Sequence, residues 1–204
     1  MGMKKTLIMK TLAFALLLSI SSYSFGQGYN VGDKVADFSL SNSLDNSQIS
    51  LGNFAKSKSV VIVFSSPACP YVKLYEDRLV QLANDFASKE VRFLFINPNN
   101  SKASAEDSPA EMAKRAREKN YSFPYLVDNA QVSSAFGASK TPEVFVLKNI
   151  NGSFVLQYKG AIDDNPQVAA DVTNSYLKEA INSILTNSSM KVADKRASGC
   201  MIKK

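Results

Sequence analysis

The chain has 204 residues, with 24 Lys or Arg against 18 Asp or Glu, two cysteines and no histidine. The missing histidine excludes Ser-His-Asp and Cys-His catalysis, and two cysteines alone leave no four-ligand zinc site. A formal net charge of +6 is too weak for nucleic-acid binding, which needs a concentrated basic stripe.

The first ten residues carry Lys4, Lys5 and Lys10 and no acid, Thr11–Ile20 is almost wholly apolar, and Ser21–Gly26 turns small and polar. That layout predicts a secretory signal peptide over residues 1–26, cleaved near Gly26, with Ser24 and Gly26 at the positions a signal peptidase reads. The apolar run is shorter than the ~20 residues a bilayer span needs, so no stable membrane span is expected after cleavage. No cysteine stands at the exit to take a lipid. The expected location is outside the cytoplasm, in a bacterial periplasm, where an even cysteine count permits one disulfide and equally two free thiols. Loss of the three lysines lowers the net charge from +6 to +3.

Phe38–Leu40 and Gln48–Leu51 predict a small leading hairpin, an N-terminal β extension. Val60–Phe64 is continuously apolar and mostly β-branched, as a strand buried on both faces should be. Tyr75, Leu79, Leu82, Ala83 and Phe86 then recur at helical spacing. Val91–Ile96 reads as a second buried strand, Pro109–Lys119 as a helix and Tyr125–Val127 as a short strand. Gln131–Phe136 reads as a short helix stopped by Gly137. Glu143–Leu147 and Ser153–Lys159 flank Asn151-Gly152, a hairpin signal. A last helix is expected over Val168–Leu185, with Val168, Val172, Tyr176, Ile181 and Ile184 as its buried stripe. Strands alternating with helices indicate a parallel core with an antiparallel edge. The fold class is therefore α/β, a single domain over residues 30–187 with a central mixed sheet flanked by helices. Residues 188–204 form a basic tail carrying Cys200.

Ser66-Pro-Ala-Cys69-Pro70 lies where the first central strand ends and the first long helix begins, the place where open α/β sheets build their sites. Ser66 suits the N-cap and Pro67 the first helical position. Cys69 then falls in the first turn, where free N–H groups and the helix dipole favour a thiolate. Pro70 costs at most one helical bond there. Lys73, four residues on, adds positive charge on the same face. The competing reading is an inert buried cysteine.

Phe64-Ser-Ser-Pro-Ala-Cys69-Pro-Tyr-Val-Lys73 resembles the thioredoxin-like redoxins (AhpC/TSA type). It is most similar to the peroxiredoxin-like group with C-x-x-C-P-Y-V-K. Gly32-Asp33, Asp37–Leu40, Phe123–Asp128, Thr141-Pro142 and Gly199-Cys200-Met-Ile-Lys203 extend the likeness over residues 30–204. The resemblance implies a thioredoxin-like domain in which Thr141 and a cis Pro142 lie beside Cys69. It also implies thiol chemistry with exported protein thiols or disulfides, a redox partner protein, or a small thiol, and no cofactor. Two departures matter. Ser66 replaces the first motif cysteine, so dithiol exchange within the motif is impossible. Lys140 stands where some relatives carry another cysteine.

Two readings follow. In one, the chain is an exported thiol-disulfide oxidoreductase using Cys69, with Cys200 as resolving or disulfide partner. In the other it is a non-catalytic binding module stapled by a structural Cys69–Cys200 bond. A peroxidase branch is weaker, because Ile62 stands where peroxiredoxins have proline and no arginine is found in the expected region.

Overall fold

The computed structural model describes residues 28–99, 102 and 104–203. The signal segment expected over residues 1–26 lies outside the described residues. Eleven strands are described: β1 (Lys34–Val35), β2 (Ser39–Asn42), β3 (Gln48–Ser50), β4 (Ser59–Phe64), β5 (Val91–Asn97), β6 (Tyr125–Val127), β7 (Lys140–Thr141), β8 (Glu143–Ile150), β9 (Ser153–Gly160), β10 (Asp194–Lys195) and β11 (Cys200–Met201). The α-helices are α1 (Pro70–Ala87), α2 (Pro109–Glu118), α3 (Val132–Phe136) and α4 (Tyr176–Leu185).

The main sheet runs β1-β9-β8-β4-β5-β6-β2-β3, with β10 also on β9. At its centre β4 is parallel to β5 and antiparallel to β8, so the sheet is mixed. Side chains alternate across it, as the period of a strand requires. Val61 and Val63 of β4 pack on one side with Tyr75 and Leu79 of α1, Met112 of α2 and Ile181 of α4. Val60, Ile62 and Phe64 face the other side, with Phe136 of α3, Phe145 and Leu51. This two-sided burial explains the unbroken apolar run in the sequence.

One helical expectation is corrected. The last helix begins at Tyr176, and its buried stripe is Leu177, Ala180, Ile181 and Ile184. Val168 is exposed and Val172 only half-buried. The reason is local: the Asn165 side chain accepts from the amides of Gln167 and Val168, and Asp164 accepts from those of Thr173 and Asn174. Short polar side chains that satisfy backbone donors in this way compete with a helix. The tail expected over residues 188–204 pairs with the sheet over part of its described length. β10 pairs with the end of β9 and β11 pairs antiparallel with β7. Gly160 allows the first contact: a Cβ there would stand 1.7 Å from the Lys195 carbonyl oxygen.

One buried charge joins α1 to α2. Glu76, fully buried, accepts from Arg115 Nε at 2.9 Å, Arg115 Nη2 at 2.6 Å and the Tyr121 hydroxyl at 2.6 Å. Burial, and then Glu76 itself, pushes the Tyr121 hydroxyl far above its ordinary pKa, so it remains a donor. Removing one partner of a buried pair strands the other. Glu76→Ala is therefore expected to lower the unfolding free energy by about 3 kcal/mol in urea denaturation. A loss well below about 1 kcal/mol would show that the pair is not needed to join the helices.

Candidate redox site

The two prolines of the Cys69 segment compete to begin α1, and Pro70 wins. If Pro67 opened the helix, Pro70 would fall where an intrahelical donor is needed, and it has none. At N1 its missing N–H is harmless. A residue before proline is also driven out of the helical region, and Cys69 is extended at φ −84°, ψ 121°. Cys69, not Ser66, is thus the N-cap. Pro67 and Ala68 lie in a turn closed by the Cys69 amide donating to the Ser66 carbonyl at 3.1 Å. The sulfur still stands at the start of an 18-residue helix, where the first amides lack intrahelical partners. The dipole argument survives the shift of one turn.

Cys69 is bonded to Cys200, with Cα atoms 6.0 Å apart across 131 residues of sequence. Cys69 is 3% exposed and Cys200 half-buried. The Thr141–Pro142 peptide is cis, and Cys69 Sγ stands 3.0 Å from the Thr141 carbonyl oxygen. In the disulfide this is a contact without a proton; on reduction it becomes an acceptor for the thiol. Cys200 lies opposite Thr141 and Met201 opposite Lys140 in the β11–β7 ladder. Thr141 therefore touches the Cys69 sulfur through its carbonyl and stands opposite Cys200 in the ladder.

The supporting residues fall in different places. Pro67 is buried and Pro70 exposed. The Lys73 ammonium is exposed and paired with Glu106 at 3.4 Å, so its charge is offset by a carboxylate instead of standing alone beside the sulfur. Ser66 is buried and donates to Asp107 Oδ1 at 2.6 Å. Around that bond lies a polar cluster that the sequence reading missed. Asn99 Nδ2 donates to Ser66 Oγ at 3.0 Å and to Asp107 Oδ2 at 2.9 Å, and Asn97 Nδ2 to the Asp107 carbonyl at 3.1 Å. Asn99 Oδ1 accepts from the Lys203 amide at 2.8 Å, which ties the end of the tail to the floor of the site. The available signal was the Asn97-Pro-Asn99 run at the carboxyl end of β5, beside the end of β4. Beneath it, burial lifts the Tyr125 hydroxyl far above its ordinary pKa, and the hydroxyl donates to the Ser65 carbonyl at 2.9 Å.

Among the described residues, no three His, Cys, Asp or Glu side chains gather where they could hold a metal ion, and no helix is long and apolar enough to cross a membrane. The chemistry the arrangement offers is thiol-disulfide exchange at one sulfur pair.

A mixed sheet with helices on both faces, a cis-proline turn and a disulfide at a helix start define a thioredoxin-like redoxin scaffold. The chain belongs to the AhpC/TSA family, whose model matches residues 31–165. It is similar to an uncharacterized conserved protein from Geobacillus kaustophilus, at 32% identity and a TM-score of 0.79, over 86% of this chain and 93% of that one. A hypothetical protein from Sinorhizobium meliloti is 29% identical with a TM-score of 0.78, over 86% and 95%. A thioredoxin-family thiol:disulfide interchange protein from Chlorobium tepidum shares the fold at 16% identity and a TM-score of 0.58, over 78% and 99%. A search of curated proteins finds no match.

Asn99→Ala removes a partner from Ser66, from Asp107 and from the Lys203 amide together. It is expected to cost about 2 kcal/mol of stability and to speed hydrogen exchange at Ile202 and Lys203. Unchanged exchange at those two amides would mean that the cluster does not hold the tail.

Proposed function

We propose that the chain is an exported thiol-disulfide oxidoreductase of the C-x-x-C-P-Y type, in which Ser66 stands for the first motif cysteine and Cys69 and Cys200 form the working pair. The observation that carries this reading is the bond between a helix-start sulfur and a tail cysteine laid opposite Thr141. Exchange runs with a protein or small dithiol. A thiolate attacks one sulfur of the Cys69–Cys200 bond, the other leaves as thiolate, and a second thiol of the donor releases the mixed disulfide. Cys69 suits the stabilised thiolate because of its place at the start of α1. Disulfide exchange is favoured over peroxide reduction. Ile62 is a buried strand residue, and the Arg78 and Arg115 guanidinium groups are held by Asp163 and Glu76. The oxidising periplasm suits such a bond, and the basic, apolar, small-residue start supplies the route there.

A second reading, the stapled binding module, is favoured by the burial of Cys69. A permanent bond across 131 residues would contribute about 4–5 kcal/mol in the chain-entropy model, less where the tail is already docked.

Three outcomes are expected. The reduced Cys69 thiol should ionise below the ordinary cysteine value of about 8.5, read from alkylation rate against pH. Cys200→Ser should leave Cys69 held as a mixed disulfide or sulfenic acid after mild oxidant, where the native chain closes its own bond, read by mass. A Cys69 that recovers equally well without Cys200, or a bond that resists excess dithiol until the domain unfolds, returns the chain to the stapled module. The protein recovered from a periplasm should begin just after Gly26, and a retained leader would overturn export by cleavage.

A further inference from the structure

The edge beside Thr141 is occupied by the chain's own tail, and the fit of that tail shows what the site admits. On the reading that Cys69 exchanges disulfides, the geometry points to a partner class: extended peptide segments with glycine immediately before the reacting cysteine, of the form Gly-Cys-x-x-x.

The restriction lies at the position before the cysteine. A Cβ on Gly199 would stand 2.4 Å from the Thr141 carbonyl oxygen, 2.8 Å from its carbonyl carbon and 3.2 Å from Pro142 N. These are backbone atoms, and Thr141 is fully buried, so no side-chain rotation opens the space. Gly199 does not have a positive φ. An L-residue could adopt its backbone, and only the lack of room forbids one. The carbonyl of this glycine accepts from Lys140 Nζ at 3.3 Å.

The following positions are read through the backbone. Met201 is 65% exposed, so the first side chain after the cysteine is unrestricted. The amide of Ile202 donates to the Ser139 carbonyl at 3.1 Å and that of Lys203 to Asn99 Oδ1 at 2.8 Å. Any residue with an N–H suffices at those two places, and proline does not. The tail is thus a tethered copy of a partner strand added to β7.

The exchange balances. The Cys69 thiolate attacks the cysteine sulfur of a peptide disulfide, the Cys69–peptide S–S bond forms, and the peptide's former S–S bond breaks with its electron pair leaving on the departing thiolate. The Cys200 thiolate then attacks Cys69 Sγ and expels the peptide cysteine as thiolate. The peptide disulfide gains two electrons and the Cys69–Cys200 pair loses them.

The test uses full-length Cys200→Ser, which cannot close its own bond, and the peptide Ser-Gly-Cys-Met-Ile-Lys activated as a thiopyridyl disulfide. Release of thiopyridone should be about tenfold or more faster than for the same peptide with alanine before the cysteine. Alanine in place of methionine should change the rate by less than about twofold. In the chain with both cysteines, Gly199→Ala should shift closure of the Cys69–Cys200 bond against glutathione by about tenfold toward the open form. Equal rates for the glycine and alanine peptides, or a Gly199→Ala bond as readily closed as the native one, overturn the glycine requirement and leave disulfide exchange standing. No reaction of Cys69 with either peptide overturns disulfide exchange itself, and the peptide class with it.

Discussion

Both faces of β4 are covered by apolar side chains, Val61 and Val63 on one side and Val60, Ile62 and Phe64 on the other. A strand buried in this way cannot slip by one residue without reversing every contact. Its register against β5 and β8 is therefore fixed, and so is the point at which the chain leaves the sheet after Phe64. The Ser66–Cys69 turn, the start of α1 and the sulfur all take their positions from that exit. Carboxyl ends of parallel strands gather there, which brings Asn97 and Asn99 of the β5 end to the same place. The candidate site is thus set by hydrophobic packing several residues away from any sulfur.

On this base, the polar part of the site is layered. Asp107, a buried carboxylate, takes donors from Ser66 and Asn99, and Asn99 passes an acceptor on to the tail. Buried polar groups persist only when they are satisfied, so each member holds the next in place. The Ser66 hydroxyl serves this cluster as both donor and acceptor. Buried between Asp107 and Asn99, it holds the turn that leads into Cys69.

The sheet was legible in the sequence because β4, β5, β6, β8 and β9 carry period-two or unbroken apolar patterns, and Asn151-Gly152 marks the one tight hairpin between them. The start of α1 was misplaced because Ser66-Pro67 is a good capping pair in isolation. What decides the matter is the second proline, whose effect on Cys69 is felt only when the whole turn is built. The Val168–Val172 stretch misled for a similar reason: its apolar spacing fits a helix, but Asn165 and Asp164 take the backbone donors first. The tail was hidden for another cause. β10 and β11 are two residues long and contribute almost no periodicity, and their partners are distant in sequence. The Asn97–Asn99–Asp107 cluster is likewise written in separate segments, with no pattern linking them before the fold brings them together.

The root of the tail lies at Lys195, seated over Gly160 by a contact that involves no sulfur. Opening the disulfide would leave that anchor in place. With the β11–β7 pairing and the Lys203–Asn99 bond released as well, Cys200 would move on a leash of five residues, with a radius of about 17 Å when fully drawn out. Such a short tether keeps the two thiols at a high effective concentration, of the millimolar order that short linkers give. Re-closure would therefore compete strongly with any dissolved thiol, and an external partner would hold Cys69 only if it fits the edge at least as well as the segment already moored there.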